Sequence, residues 1–103
     1  MAEFLVEVYL RHDDPHGARL HTGRVEQAAI DLDPPGLRVR CTRSLFVPED
    51  ETLLLHFRAT SAEAVDEAVR HAGLRCEHIS AAEAIDVTGS SPAGPLPSRK
   101  APQ

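Results

Sequence analysis

The chain has 103 residues, a formal charge of −5 and 42% hydrophobic residues, which suits one domain burying roughly two-thirds of its unfolded surface. All 16 acidic residues precede residue 89, and 9 basic groups stand against them there. That net −7 excludes the basic footprint a nucleic-acid partner requires. No apolar run approaches the ~20 residues of a membrane span. Met1-Ala2-Glu3-Phe4 puts no basic stretch ahead of its apolar segment, so no signal peptide and a cytoplasmic location are expected.

Glu3 to Leu10 alternates as a first strand. Phe4, Val6, Val8 and Leu10 share one face, and Glu3, Leu5, Glu7 and Tyr9 share the other. Residues 11–23 are polar, with three histidines and two glycines. Asp14-Pro15 has the form of a helix start, but Gly17 and Gly23 would each cost a helix ~1 kcal/mol. The helix is therefore predicted at Arg24 to Leu32, where Val25, Ala28, Ala29 and Leu32 form one stripe. Asp33-Pro34-Pro35-Gly36 ends it. Leu37, Val39 and Cys41 then alternate with Arg38, Arg40 and Thr42 in a second strand running to Val47.

Pro48 to Glu51 reads as a turn, and Leu53 to Phe57 as a third strand. Thr60 and Glu63 have capping-box spacing, ahead of a helix carrying Val65, Ala68, Val69 and Ala72 on one side. Gly73 stops that helix, and Leu74 to Ile79 opens a last strand. Residues 80–88 fit both a helix and an extended finish. From Gly89 onward, 9 of 15 residues are Pro, Gly or Ser, so residues 1–88 are predicted to be the domain and 89–103 a disordered tail.

The order β-α-β-β-α-β predicts an α+β, ferredoxin-like fold: a four-stranded antiparallel sheet with two helices on one face. The other face would carry Leu5, Glu7, Tyr9, Arg40, Phe46, Leu54, His56 and Arg58. That mixture is too apolar for a solvated face and too charged for a core, and a homodimer seam or a cavity for a small-molecule ligand accounts for it. Cys41 and Cys76 read as buried small hydrophobes. In this topology their strands lie about 14 Å apart, beyond the ~7 Å limit for a disulfide.

Arg43-Ser44-Leu45-Phe46-Val47, Leu53 to Phe57, Ser61 to Val65, Ala72-Gly73-Leu74, His78-Ile79 and Ala84-Ile85-Asp86 together resemble a family of small bacterial domains of unknown function. One member of that family is described as nickel-binding. The resemblance covers residues 37 to about 88 and implies a ferredoxin-like fold, a dimer and nickel. Ala68 stands where many members carry a histidine, and the polar segment 11–23 replaces a longer first helix.

His12, Asp13, Asp14, His16 and His21 form the densest cluster of metal-ligating side chains. Imidazole and carboxylate donors suit nickel or another divalent transition metal. His56 lies in the middle of a strand, where Glu7 or Tyr9 would be its neighbours and a histidine–carboxylate pair could move protons. Arg40 and Arg58 would be further polar groups of such a catalytic site. No serine sits in an elbow of glycines, and no glycine-rich loop follows a strand, so a nucleotide cofactor is not expected. Two functions follow as expectations: a dimeric nickel-binding protein, or a cofactor-independent dimeric α/β-barrel enzyme. The enzyme would be an isomerase, cyclase or monooxygenase for a hydrophobic small molecule.

Overall fold

The computed structural model describes residues 1–33 and 38–85. Leu37, the Pro34-Pro35-Gly36 break, the end of the domain beyond Ile85 and the predicted tail at 89–103 lie outside them. The elements are β1 (Ala2–Tyr9), α1 (Pro15–Leu32), β2 (Val39–Val47), β3 (Thr52–Ala59), α2 (Ala62–His71) and β4 (His78–Ala82). They form an α+β ferredoxin-like fold. Its antiparallel sheet runs β2-β3-β1-β4, so β2 and β4 are the edges.

The core lies between the sheet and the two helices. Val6, Leu53, Leu55 and Phe57 project from the central strands onto Val25 of α1 and Val65, Ala68 and Val69 of α2, all essentially fully buried. The alternation of β1 and β3 and the stripe of α2 place these residues as the sequence predicts.

Helix α1 begins nine residues before the predicted Arg24, which corrects the reading of 11–23 as an interrupted segment. Asp14 caps it, its Oδ1 accepting from the Gly17 amide at 2.8 Å, and Pro15 occupies the first helical position. Gly17 does not weaken this start but makes room for it: a Cβ there would stand 2.2 Å from Asp14 Oδ2. Gly23 is different, since a Cβ would meet nothing within 4 Å. Gly17→Ala is accordingly expected to lose about 1 kcal/mol of stability through the disrupted cap. Gly23→Ala should gain about 0.5–1 kcal/mol through helix propensity. Urea unfolding checks the pair, and equal gains at both positions would show that the cap does not need glycine.

The start of α2 also differs from expectation. Ser61, not Thr60, is its cap, its hydroxyl accepting from the Ala64 amide at 3.2 Å. The Thr60 amide is already committed to the Arg38 carbonyl at 2.8 Å, which extends the β2–β3 pairing and delays the helix by one residue. Gly73 ends α2 with φ +82. The Gly73 amide bonds the Arg70 carbonyl and the Leu74 amide bonds the Val69 carbonyl, the Schellman pattern that favours glycine. The last strand is β4 at His78–Ala82 rather than from Leu74. Leu74 and Cys76 pack against the core ahead of it.

One irregularity matters most for the site. Cys41 pairs with Phe57 and Arg43 with His56, so Thr42 is the extra residue of a bulge. A single extra residue reverses which face every later side chain takes. Phe46, predicted on the open face, therefore opposes buried Leu53 and packs against the core. Arg43 and Leu45 take the open face in its place, opposite His56 and Leu54.

Candidate functional site

The face of the sheet away from the helices carries an open basin of about 900 Å³, lined by residues that include Glu3, Leu5, Thr42, Arg43, Leu54, His56 and Arg58. Ligand sites commonly fall in the range of ~300–1,000 Å³. His56 lies at its centre on β3, with about a quarter of its side chain exposed. Glu3 Oε1 stands 2.7 Å from its Nε2, and Thr42 Oγ1 stands 2.7 Å from its Nδ1.

This geometry fixes the imidazole from both ends. An ionised carboxylate only accepts, so Nε2 carries a proton toward Glu3. Nδ1 accepts from Thr42 when the ring is neutral and donates to it when the ring is charged. The Thr42 hydroxyl also reaches the His56 carbonyl at 3.2 Å. Thr42 is exposed, so a ligand group that displaces its hydroxyl meets Nδ1 directly.

The carboxylate on His56 is Glu3, where the sequence reading had Glu7 or Tyr9. Leu5 stands directly opposite His56, and Glu3 and Glu7 are its two diagonal neighbours. The ring turns toward Glu3. Glu7 lies opposite Leu54 on one side and His78 on the other, which puts a second histidine and carboxylate side by side on this face. Tyr9 is opposite Thr52 at the far end and helps to hold the Glu51 carboxyl low instead. Arg40 and Arg58 stand directly opposite each other, both exposed.

The predicted metal ligands are not gathered into one site. His12 Nδ1 and the His12 amide both bind Glu51 Oε2, at 2.9 and 3.0 Å. This contact, chiefly its hydrogen bonds, holds the Glu51 carboxyl below its ordinary range. Asp13 pairs with Arg11 at 2.9 Å, and Asp14 is spent on the helix cap. His16 and His21 lie on α1, where His21 Nδ1 is buried without a partner among the described residues. Folding 15–23 into a helix is what separates them. Among the described residues no three His, Cys, Asp or Glu side chains converge on a point that could hold an ion, so this donor set does not fit a nickel centre.

The cysteines are free, Cys41 on the edge strand β2 and Cys76 just ahead of β4 at the other edge. Burial, with Glu26 nearby, pushes the Cys41 thiol up to about 11. At neutral pH it stays protonated, and it is no nucleophile.

Sequence reasoning missed Thr42 and Arg43, because nothing in an alternating strand marks where a bulge falls. Glu3 was visible on the correct face but was not matched to His56.

No described helix is long and apolar enough to cross a membrane. No family model matches the sequence, and no curated protein does. Among solved structures, the crystal structure of SCO4226 from Streptomyces coelicolor A3(2) is similar, with a TM-score of 0.59 at 20% identity over 82% of this chain and 100% of that one. At that identity, the likeness of this chain to the bacterial protein is one of fold.

Proposed function

We propose that the open face is the site of a cofactor-independent enzyme of the dimeric α/β-barrel type, acting by proton transfer on a hydrophobic small molecule in the cytoplasm. The observation that carries this reading is the Glu3–His56–Thr42 array, an imidazole held by a carboxylate at 2.7 Å and a hydroxyl at 2.7 Å. A base oriented by a second group is the recurring arrangement of acid–base catalysis. His56 would take a proton from a carbon acid, or return one, through Nδ1, while Glu3 stabilises the imidazolium. Leu5 and Leu54 provide an apolar floor, and Arg43 and Arg58 further polar groups. A second copy of the chain would close the basin. The half-exposed Tyr9 and Leu45, at 56% and 57%, are the apolar groups it would cover.

The reading is tested by solvent deuterium exchange into a panel of enolisable hydrophobic ketones, followed by NMR. The parent should accelerate exchange of at least one compound, and His56→Ala should lose about 10²-fold or more of that rate while remaining a folded dimer by ultracentrifugation. A variant as active as the parent sinks the assignment of His56, and a panel without any accelerated exchange sinks the enzyme reading.

Nickel binding, the function implied by the resemblance, ranks second because three of its five donors, His12, Asp13 and Asp14, serve separate contacts. Stoichiometric nickel on tag-free protein, lost when His12, His16 and His21 are changed to alanine, would reverse the order.

A further inference from the structure

Three of the arginines in this acidic chain meet on the open face. Arg40 and Arg58 are directly opposed across β2 and β3, and Arg43 opposes His56. Like charges set directly opposite in a sheet repel. Three arginines elsewhere are neutralised locally: Arg11 with Asp13, Arg38 with Asp33 and Arg70 with Asp66. Among the described residues Arg40, Arg43 and Arg58 have no carboxylate within ion-pair distance.

The cause is visible at Glu3. It lies directly opposite Arg58 in the β1–β3 register and is the neighbour that would neutralise it. Its carboxylate is instead engaged by His56 Nε2. The His56 contact therefore leaves a guanidinium cluster unbalanced at the rim of the basin. The floor beside it is apolar, lined by Leu5, Leu45, Leu54 and Ile85.

We propose that the ligand of this face is a small amphiphilic carboxylate, its anionic group clamped between Arg40 and Arg58 and its apolar body lying on Leu5, Leu45 and Leu54. This rests on the reading of the open face as a ligand site. Guanidinium groups match a carboxylate through paired N–H donors. A bare inorganic anion would make no use of the leucines, and a neutral apolar molecule would leave the arginines facing one another. The carboxylate anchors the ligand at the β2–β3 end, while the atom that exchanges a proton sits toward His56.

Octanoate and octanol, identical in chain length, are the probes. Each is titrated into nitrogen-15-labelled protein at low ionic strength, with amide shifts followed on β1, β2 and β3. Octanoate should bind at least tenfold more tightly than octanol, shifting Leu5, Arg43, Leu54 and Arg58. The preference should fall with added salt and vanish in the Arg40→Gln/Arg58→Gln double variant. His56→Ala should weaken it, because Glu3 is then free to pair with Arg58. Octanol binding as tightly as octanoate on this face would overturn the carboxylate inference and leave the ligand site standing. Acetate binding as tightly as octanoate would overturn the apolar half of the inference. If neither eight-carbon probe shifts the face at millimolar concentration, the ligand-site reading falls, and this inference with it.

Discussion

Asp33→Ala should destabilise the fold by about 2–4 kcal/mol, since a buried, charged acceptor is lost and its donors are stranded. Asp33 is only 6% exposed and stands just past the end of α1. Its Oδ2 accepts from the backbone amides of Arg38 and Val39, and the Arg38 guanidinium lies 3.9 Å from Oδ1. One side chain thus ties the end of α1 to the first residues of β2. Alanine would leave the fully buried Val39 with an amide that water cannot reach. Asn, which keeps one acceptor oxygen without the charge, should lose a smaller amount. Urea unfolding of both variants checks this, and an alanine variant within about 0.5 kcal/mol of the parent would show that Asp33 is dispensable.

The second large effect separates two adjacent leucines. Leu55 is fully buried against the helices, and Leu55→Ala should cost about 2–5 kcal/mol, whatever the protein concentration. Leu54 points the opposite way, onto the open face opposite Glu7 and Leu45. If a second copy closes that face, Leu54→Ala acts through association. Its melting-temperature deficit should then be largest where the parent is dimeric and shrink on dilution. A deficit for Leu54→Ala that does not change with concentration would count against the closed dimer.

The fold was legible because its signals are local and repeated. Val6 and Val8 on β1, Leu53, Leu55 and Phe57 on β3, and Val65, Ala68 and Val69 on α2 each keep a period that admits one buried face. What was hidden depended on contacts between segments. The cost of Gly17 could be read from helix propensity, but its fit against the Asp14 carboxylate could not. The Thr60 amide looked free for a cap until Arg38 came beside it. At the site, His56 and its face were legible from alternation. Its partners were not, because Glu3 and Glu7 are equivalent diagonals in the register and Thr42 reaches the ring only through the bulge.

That bulge also bears on how the protein keeps from aggregating. β2 is an edge strand, and an edge with unpaired backbone groups is a template on which another chain can add a strand. A continuous, flat β2 would offer nine residues of such a template. The extra residue at Thr42 breaks its regularity near the middle, and Arg40 and Arg43 put charge on either side of the break. An incoming strand in register with Val39 to Cys41 would be out of register beyond Arg43, so neither half is long enough to recruit a neighbour. Deleting Thr42 would therefore do more than disconnect His56: it would straighten the margin of the sheet and open it to fibrous, edge-to-edge assembly.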